Sequence, residues 1–348
     1  MQLTRESIFV GAVRSFCTSF AAVLGVLIAI VLVFVGLVMF STPDIYPKKS
    51  EMTIAPDANG NRDLLSSAPV VLRIDIRGVI GQGDLTGPKF QNVLLDSQEG
   101  LLANKRVKAV LLYIDSPGGT VTDSDAIYSA LMRYKKKYEV PIYAYVDGLC
   151  ASGGMYIACS ADKIFATTSS VIGSVGVVLG PAFNVAQLMD RYGVQARTFT
   201  QGKDKDMLNP FRPWQAGEDE SILRMMSYLY DDFVSIVTQA RPQMDRTRLI
   251  NEYGAQVYVA YDAQQRGYID QAQSDYSTAV TELVKAAKLE GNSYQVMQIA
   301  PPRSFFSDLA QEKTSLLSGK ITHKFQIGPY MDSEFSGKFL YLYQPLCD

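Results

Sequence analysis

The sequence predicts an α/β protein with a largely parallel β-sheet, preceded by one membrane-spanning helix. Two observations predict the sheet. Apolar stretches typical of buried strands alternate with helical stretches, and glycine-bearing turns join a strand to the helix that follows it. The third observation is an uncharged apolar run near the N-terminus. The chain has 348 residues and is 47% apolar, so it carries enough apolar side chains for a sizeable core.

The apolar run predicts a signal-anchor helix. No charged residue lies between Arg14 and Asp44, and residues 17–40 are strongly apolar. About 20 such residues cross the hydrocarbon core of a bilayer. A cleaved signal peptide has a shorter apolar core and a small-x-small site, and the residues after this run offer a poor site. We therefore expect a short cytoplasmic segment at 1–16 and an uncleaved transmembrane helix at 17–40.

The charges that flank this helix are nearly balanced, so they do not fix its orientation. The short segment before the helix and the long chain after it favour a body outside the cytoplasm.

The rest of the chain divides into a linker, a body and an extension. Residues 41–68 are polar and interrupted by prolines, which predicts a linker. In the body, strands are expected at 69–76, 107–115, 141–147 and 162–167, and helices at 124–138, 215–239 and 277–289. The periodicity fades from residue 291, so we expect one domain over 69–290 and an extension over 291–348.

Composition excludes several classes of function. A net charge of -2 provides no basic field for nucleic acid. The single histidine, His323, excludes metal sites built on histidine pairs and is a poor partner for a Ser-His-Asp triad. The four cysteines form no disulfide framework. We expect Cys150 and Cys159 to be buried free thiols, because a turn and a predicted helix separate them.

The stretch "DGLCASGGMYIACSADKIFA" places Ser152 between a predicted strand and a predicted helix. The two glycines after it let the backbone turn sharply and approach a ligand. The first amides of the helix are free to point at a negative oxygen. A serine nucleophile needs this arrangement, and an ordinary tight turn has it too. Cys150 is a weaker candidate nucleophile, since no glycine pair follows it.

A second glycine turn, "DSPGGTV", places Gly118 and Gly119 directly after the strand predicted at 107–115. Ligands of open parallel sheets bind at the carboxyl ends of the strands. If the two strands are neighbours, both turns open onto one crevice and their amides converge on one oxyanion. The alternative is a pair of plain strand-to-helix loops. Neither GxGxxG nor GxxxxGK[ST] is present, which disfavours a phosphate site.

The sequence offers several partners for such a serine. The stretch "VIGSVGVV" predicts a glycine-punctuated strand that carries Ser174, either as a packing residue or as a hydrogen-bond partner of a catalytic group. A lysine activates a serine when its pKa falls from about 10.4 toward about 7–8. The loop "TQGKDKDMLNPFRP" contains Lys203 and Lys205, and the residue pattern alone does not choose between them.

Taken in order, "DSPGG", "ASGGMYIACSADKIFAT", "GSVGV" and "GKDKDMLNPFRP" resemble the signal peptide peptidase A (protease IV) family of membrane-anchored Ser-Lys serine peptidases. The resemblance covers roughly residues 70–298 and implies a ClpP/crotonase-like fold of repeated βαβ units. It implies that Ser152 is the nucleophile and Lys205 the general base. It also implies that Ser174 holds the lysine amine and that Gly119 and Gly153 supply the oxyanion-hole amides.

The same resemblance implies peptide substrates, namely remnant signal peptides left in the membrane, and no metal or cofactor. It implies a homo-oligomeric ring in which neighbouring subunits complete each site. The expected location is the bacterial inner membrane, with a single span and an extracytoplasmic catalytic domain. Three alternatives stay open: a regulatory membrane protease with other protein substrates, a non-catalytic membrane-anchored ring scaffold, and a crotonase-like acyl-CoA hydratase or isomerase.

Overall fold

The computed structural model describes residues 8–41, 49–63, 67–301 and 338–343. The chain forms two compact units, Met1–Lys48 and Lys49–Asp348. His323 and Cys347 lie outside the described residues.

The first unit contains helix α1 (Ile8–Ser41). Its Val10–Val35 stretch has a mean hydropathy of 2.8 and is long and apolar enough to cross a membrane. The predicted apolar helix is therefore confirmed, and it begins well before residue 17.

The second unit is built on a mixed β-sheet. The described strands are β1 (Glu51–Ala55), β2 (Val70–Arg77), β3 (Val107–Ser116), β4 (Gly118–Thr120), β5 (Ile142–Ala151), β6 (Lys163–Ala166), β7 (Val171–Gly173), β8 (Val257–Val259), β9 (Gln295–Ala300) and β10 (Leu340–Leu342). Among the described residues, the large sheet runs in the order β1-β9-β2-β3-β5-β7-β8, with β6 also paired to β5. Its inner pairs, from β9 to β7, are parallel. The edge strands β1 and β8 are antiparallel to their neighbours. The predicted largely parallel sheet is confirmed.

Helices cover both faces of this sheet. The α-helices described in this unit are α2 (Gly87–Asp96), α3 (Val121–Tyr138), α4 (Gly153–Ala158), α5 (Ala186–Arg191), α6 (Glu220–Ala240), α7 (Arg246–Arg248), α8 (Ala260–Gln265) and α9 (Tyr276–Ala286). Alternate residues of β3 point to opposite faces, so Leu112 joins the core under α3, α4 and α6. Leu111 joins the core under α9. A strand buried on both faces reads as a continuous apolar run, which explains why the sequence predicts β3 well.

Three strands lie in segments where the sequence shows no strand pattern. β1 lies within the expected linker 41–68 and pairs with β9, from the expected extension 291–348. β10, from the same extension, pairs with β4 in a separate two-stranded sheet. Short strands of this kind depend on pairing with distant residues rather than on a local pattern.

The predicted strand over 171–178 is wrong beyond Gly173. The backbone leaves the extended region there, with φ of 131° at Gly173 and 56° at Ser174. The chain turns instead of continuing, and most side chains of residues 179–219 are exposed.

Candidate active site

The two glycine turns meet at one edge of the sheet. β3 and β5 are parallel neighbours, and Ser116 lies opposite Cys150 in their register. The turn that leads into β4 and the turn at Ser152 therefore leave the sheet side by side, because the carboxyl ends of parallel strands share one edge. The expectation that these two strands are neighbours is confirmed.

Ser152 has a strained backbone. Its φ of 55° and ψ of -116° fall in a region that residues with a side chain rarely adopt. Its amide donates to the Gly173 carbonyl at 2.9 Å, and its own carbonyl accepts from the Tyr156 amide at 2.9 Å. Only 1% of the residue is exposed. Strain of this kind concentrates at functional sites, and a strained strand-to-helix turn positions the serine nucleophile of α/β-hydrolases.

Glycine is required where the two turns approach each other. A Cβ at Gly118 would lie 2.6 Å from the Gly153 amide nitrogen. A Cβ at Gly153 would lie 3.2 Å from the Gly119 amide nitrogen and 2.5 Å from Ser124 Oγ. The backbone amides of Gly119 and Gly153 therefore border one small space that has no room for a side chain. Paired amides beside a buried serine can hold a developing oxyanion.

Ser174 lies beside the Ser152 turn. It directly follows Gly173, whose carbonyl accepts the Ser152 amide. Its own amide donates to the Gln256 carbonyl at 2.8 Å, and only 6% of the residue is exposed. The structure therefore brings four of the predicted site residues into one cluster: Ser152, Ser174, Gly119 and Gly153.

Lys205 belongs to a different, exposed segment. Its amide donates to the Gly202 carbonyl at 3.4 Å, in a run of turns. Arg212 fixes this loop, since its guanidinium binds Asp206 Oδ2 at 3.0 Å and Glu218 Oε2 at 2.8 Å. The hydrogen bond from Arg212 holds the pKa of the Asp206 carboxyl below its ordinary value. The hydrogen bonds described within this one chain do not join Lys205 to Ser152.

The two cysteines near the serine are unsuited to nucleophilic chemistry. Cys150 and Cys159 are buried and free, as the sequence predicts. Burial raises the pKa of both thiols, to about 12 for Cys159. A reactive cysteine needs the opposite shift, because the thiolate is the nucleophile. Among the described residues, no group of three or more His, Cys, Asp and Glu side chains is arranged to hold a metal ion.

Asp115 is a positioning residue that the sequence marks only as the residue before "SPGG". Its Oδ1 accepts the Leu149 amide at 3.0 Å, across the irregular register that separates Ile114 and Ser116 in the β3–β5 pair. A Cβ at Gly148 would lie 2.5 Å from the same oxygen. Asp115 therefore ties the end of β3 to the stretch of β5 that leads to Ser152.

An aromatic pocket adjoins the cluster, and sequence reasoning does not find it. It is formed by Tyr156 of α4 and by Leu229 and Phe233 of α6. The ring of Tyr341 fills it, with centroids 5.1 Å from Tyr156 and 4.6 Å from Phe233. The three elements that meet here are far apart in sequence, so no local pattern could have revealed the pocket.

Comparison with known proteins agrees with this fold. Residues 92–172 match the family model of Clp protease, and residues 134–290 match that of peptidase family S49. With the parallel sheet described above, the first match identifies an α/β fold of the Clp protease type. Together with the relatives below, the second match shows that this part of the chain is similar to peptidase family S49.

Two relatives illustrate the similarity. A protein from Enterococcus faecium, named provisionally as a signal peptide peptidase SppA, is 31% identical over 224 residues, which are 63% of this chain and 63% of that protein. A protein from Methanocaldococcus jannaschii, named provisionally as a protease, is 32% identical over 207 residues, which are 59% of this chain and 65% of that protein. The chain thus spans less than two thirds of the length of these relatives.

Among solved structures, a ClpP1 mutant from Listeria monocytogenes superposes with a TM-score of 0.39 and 15% identity, over 60% of this chain and 94% of that one.

Proposed function

We propose that the protein is a membrane-anchored serine endopeptidase in which Ser152 is the nucleophile and Lys205 the general base. The observation that carries the proposal is the buried, strained Ser152 beside the paired glycine amides. A serine that only fills space in the core does not need this strained conformation beside the two glycine turns. A scaffold protein does not need it either. The match of residues 134–290 to the model of peptidase family S49 supports the same reaction class.

The chemistry follows from these positions. Neutral Lys205 accepts the proton of Ser152 Oγ, and Oγ attacks the carbonyl carbon of the peptide bond. The amides of Gly119 and Gly153 donate to the oxyanion that forms. Lysine then returns the proton to the leaving amine, and the carbon–nitrogen bond breaks. Water hydrolyses the acyl-enzyme with the same lysine as base, while the Ser174 hydroxyl orients the amine.

We place Lys205 of a neighbouring copy at this site, in a homo-oligomeric ring. The segment that carries Lys205 supports this arrangement, because large apolar side chains project from it into solvent. Phe199 is 81% exposed and Tyr192 is 74% exposed. Exposed apolar surface on this scale is typical of a surface that binds another protein. A neighbouring copy would cover this apolar surface and exclude water from the loop that carries the lysine.

For substrates we propose remnant signal peptides, reached from the extracytoplasmic side of the bacterial inner membrane. The apolar helix α1 supports a membrane anchor, and the name of the Enterococcus faecium relative supports this substrate class. An apolar groove of about 650 Å³ runs beside the site between the start of α3 and α6, and it suits an apolar peptide. A regulatory protease that cuts other membrane proteins is the second candidate, since the groove fits any extended apolar segment.

The test is cleavage of a synthetic signal peptide by the full chain in detergent micelles, followed by mass spectrometry. We expect cleavage by the wild type and none by Ser152→Ala. Ser160→Ala is the matched control, because Ser160 is also buried and its hydroxyl donates to the Ile157 carbonyl at 2.8 Å, at the far end of α4. Cleavage of membrane-protein tails but not of signal peptides would favour the regulatory protease. A wild-type protein that is folded and assembled but cleaves no peptide would contradict the proposed peptidase activity.

A further inference from the structure

A basic pocket lies at the amino ends of β3 and β5, the edge of the sheet opposite to the Ser152 turn. It has a volume of about 360 Å³, and four lysines line it: Lys105, Lys108, Lys137 and Lys288. Among the described residues that line it, Glu139 is the one carboxylate. The pocket is therefore strongly cationic, although the whole chain has a net charge of -2.

The charges of these four lysines are not neutralised within the described part of the chain. All four lysines are exposed, and none of them forms an ion pair with another described residue, whereas nearby Lys285 binds Glu282 at 2.8 Å. A helix dipole favours Lys137, in the last turn of α3, but no helix ends at Lys105 or Lys108. Like charges repel, so lysines gathered in this way favour an anionic partner.

An exposed apolar groove adjoins the basic pocket. This α2–α3 groove has a volume of about 290 Å³, and Lys137 and Tyr138 line both the groove and the pocket. Leu95 lines the groove and is 65% exposed. Lysines beside exposed apolar side chains and a tyrosine are typical of surfaces that bind the bilayer interface. There the amines meet headgroups while the apolar parts contact the acyl boundary.

The chain enters the second unit beside this surface. Lys49 Nζ donates to Glu99 Oε2 at 3.0 Å, and Gln98, the residue next to Glu99, lines the basic pocket. In the sequence, α1 ends at Ser41, and only residues 42–48 separate it from Lys49. A connection of this length spans at most about 30 Å. A bilayer that α1 crosses is therefore within reach of the residues around Lys49.

We propose that the basic pocket and the α2–α3 groove form a docking surface for the anionic phospholipids of the membrane that α1 crosses. The lysine amines bind phosphate oxygens of the headgroups, and Leu95 contacts the acyl boundary. This inference rests on the proposed membrane anchor and deepens the proposed function. Because the ten residues of β3 rise about 33 Å between the pocket and the edge that bears Ser152, a peptide must leave the bilayer to be cleaved.

The experiment measures how fast each lysine is acetylated in two kinds of membrane. The full chain is placed in nanodiscs of phosphatidylcholine alone or of phosphatidylcholine with phosphatidylglycerol, and acetylation is followed by mass spectrometry. We expect phosphatidylglycerol to slow the acetylation of Lys105, Lys108, Lys137 and Lys288 by about fivefold or more. Lys89, in the first turn of α2 with a half-exposed side chain, should react equally in both. Salt at about 1 M should remove the difference.

Charge reversal at two positions tests the surface itself. The double variant Lys105→Glu and Lys108→Glu should return the acetylation rates of Lys137 and Lys288 to those seen in phosphatidylcholine. The matched control carries Lys105→Arg and Lys108→Arg, which keep both charges and should keep the protection. All these positions are exposed, and thermal melts check that each variant is folded.

Equal acetylation in the two kinds of nanodisc would overturn the inference. Slow acetylation in both kinds would mean that another copy of the chain covers the surface, which would also overturn it. Protection in phosphatidylcholine on addition of inorganic phosphate would identify a site for free anions instead of a membrane-docking surface.

The proposed function is tested separately on the same samples. Failure of the chain to co-purify with nanodiscs would overturn the membrane anchor, and with it this inference. Loss of protection in the charge-reversed variant, with unchanged cleavage of a soluble peptide, would support both the docking surface and the peptidase. Lipid-dependent protection in a wild type that cleaves no peptide would support the docking surface alone and contradict the peptidase.

Discussion

The Ser152 amide donates to the carbonyl of Gly173 at 2.9 Å, and this bond places Ser174 next to the strained turn. Two serines from separate turns thus share one short stretch of paired backbone, in which both have a positive φ. Because this hydrogen bond joins backbone atoms, it remains when either serine is replaced by alanine. The roles of the two hydroxyls can therefore be tested separately.

Lys205→Arg should be nearly inactive. Arginine keeps the positive charge but stays protonated, so it cannot act as a base. We expect kcat for signal-peptide cleavage to fall by about 10²- to 10⁴-fold. Lys203→Arg, two residues away in the same loop, is the control and should retain activity. Substantial activity in Lys205→Arg would remove this residue from the mechanism.

Mixing two inactive variants tests whether the site is shared between copies. Ser152→Ala and Lys205→Ala are each expected to be inactive. If Lys205 comes from a neighbouring copy, subunits exchanged between the two variants rebuild some intact sites, and cleavage returns. Activity that stays absent after verified subunit exchange would place both residues in the same chain.

Ser174→Ala should lower kcat with little change in KM. The hydroxyl is proposed to orient the lysine amine, and poor positioning of a catalytic group costs about 10²-fold. Because the backbone amide bonds the turn to Gln256, the melting temperature should stay close to that of the wild type. A rise in KM at unchanged kcat would instead assign Ser174 to substrate binding.

Gly153→Ala should abolish cleavage. The new methyl group would lie 2.5 Å from Ser124 Oγ and 3.2 Å from the Gly119 amide nitrogen, so the turn must shift. Displacing one oxyanion donor costs about 10²- to 10³-fold in kcat. Ser124→Ala alone, which removes the atom nearest to the new methyl, is the control and should stay active. Normal kcat in Gly153→Ala would exclude this amide from the oxyanion hole.

Asp115→Asn should be tolerated, whereas Asp115→Ala should destabilise the protein. Asparagine keeps a side-chain oxygen that can accept the Leu149 amide, and alanine does not. The loss of one such bond costs about 1 kcal/mol in the free energy of unfolding. Chemical denaturation of the three proteins measures the difference. Equal stability of the alanine variant would mean that the bond contributes nothing.

The sequence predicts the central sheet and the serine turn because their signals are local. β3 and β5 are apolar over most of their length. Glycine is needed in the turns that follow them, because other backbone atoms lie too close for a side chain. By contrast, β1, β9 and β10 depend on partners far away in the chain. The aromatic pocket needs α4, α6 and β10 together, so it emerges only from the fold.

Lys205 is the predicted site residue that the fold of one chain does not bring to Ser152. Family motifs select it over Lys203, but within a single chain it lies on an exposed loop held by Arg212. In the proposed ring its partners belong to a neighbouring copy, and neither the local sequence nor the fold of one chain specifies that contact.

The most direct test of Ser152 as the nucleophile is covalent labelling of the full chain with a fluorophosphonate, followed by peptide mapping. This reagent is attacked by an activated serine and forms a stable adduct in the oxyanion hole. The proposed mechanism predicts an adduct on the peptide that contains Ser152, no adduct in Ser152→Ala, and much slower labelling in Lys205→Arg. An adduct on a different serine, or none in a preparation that cleaves peptides, would contradict it.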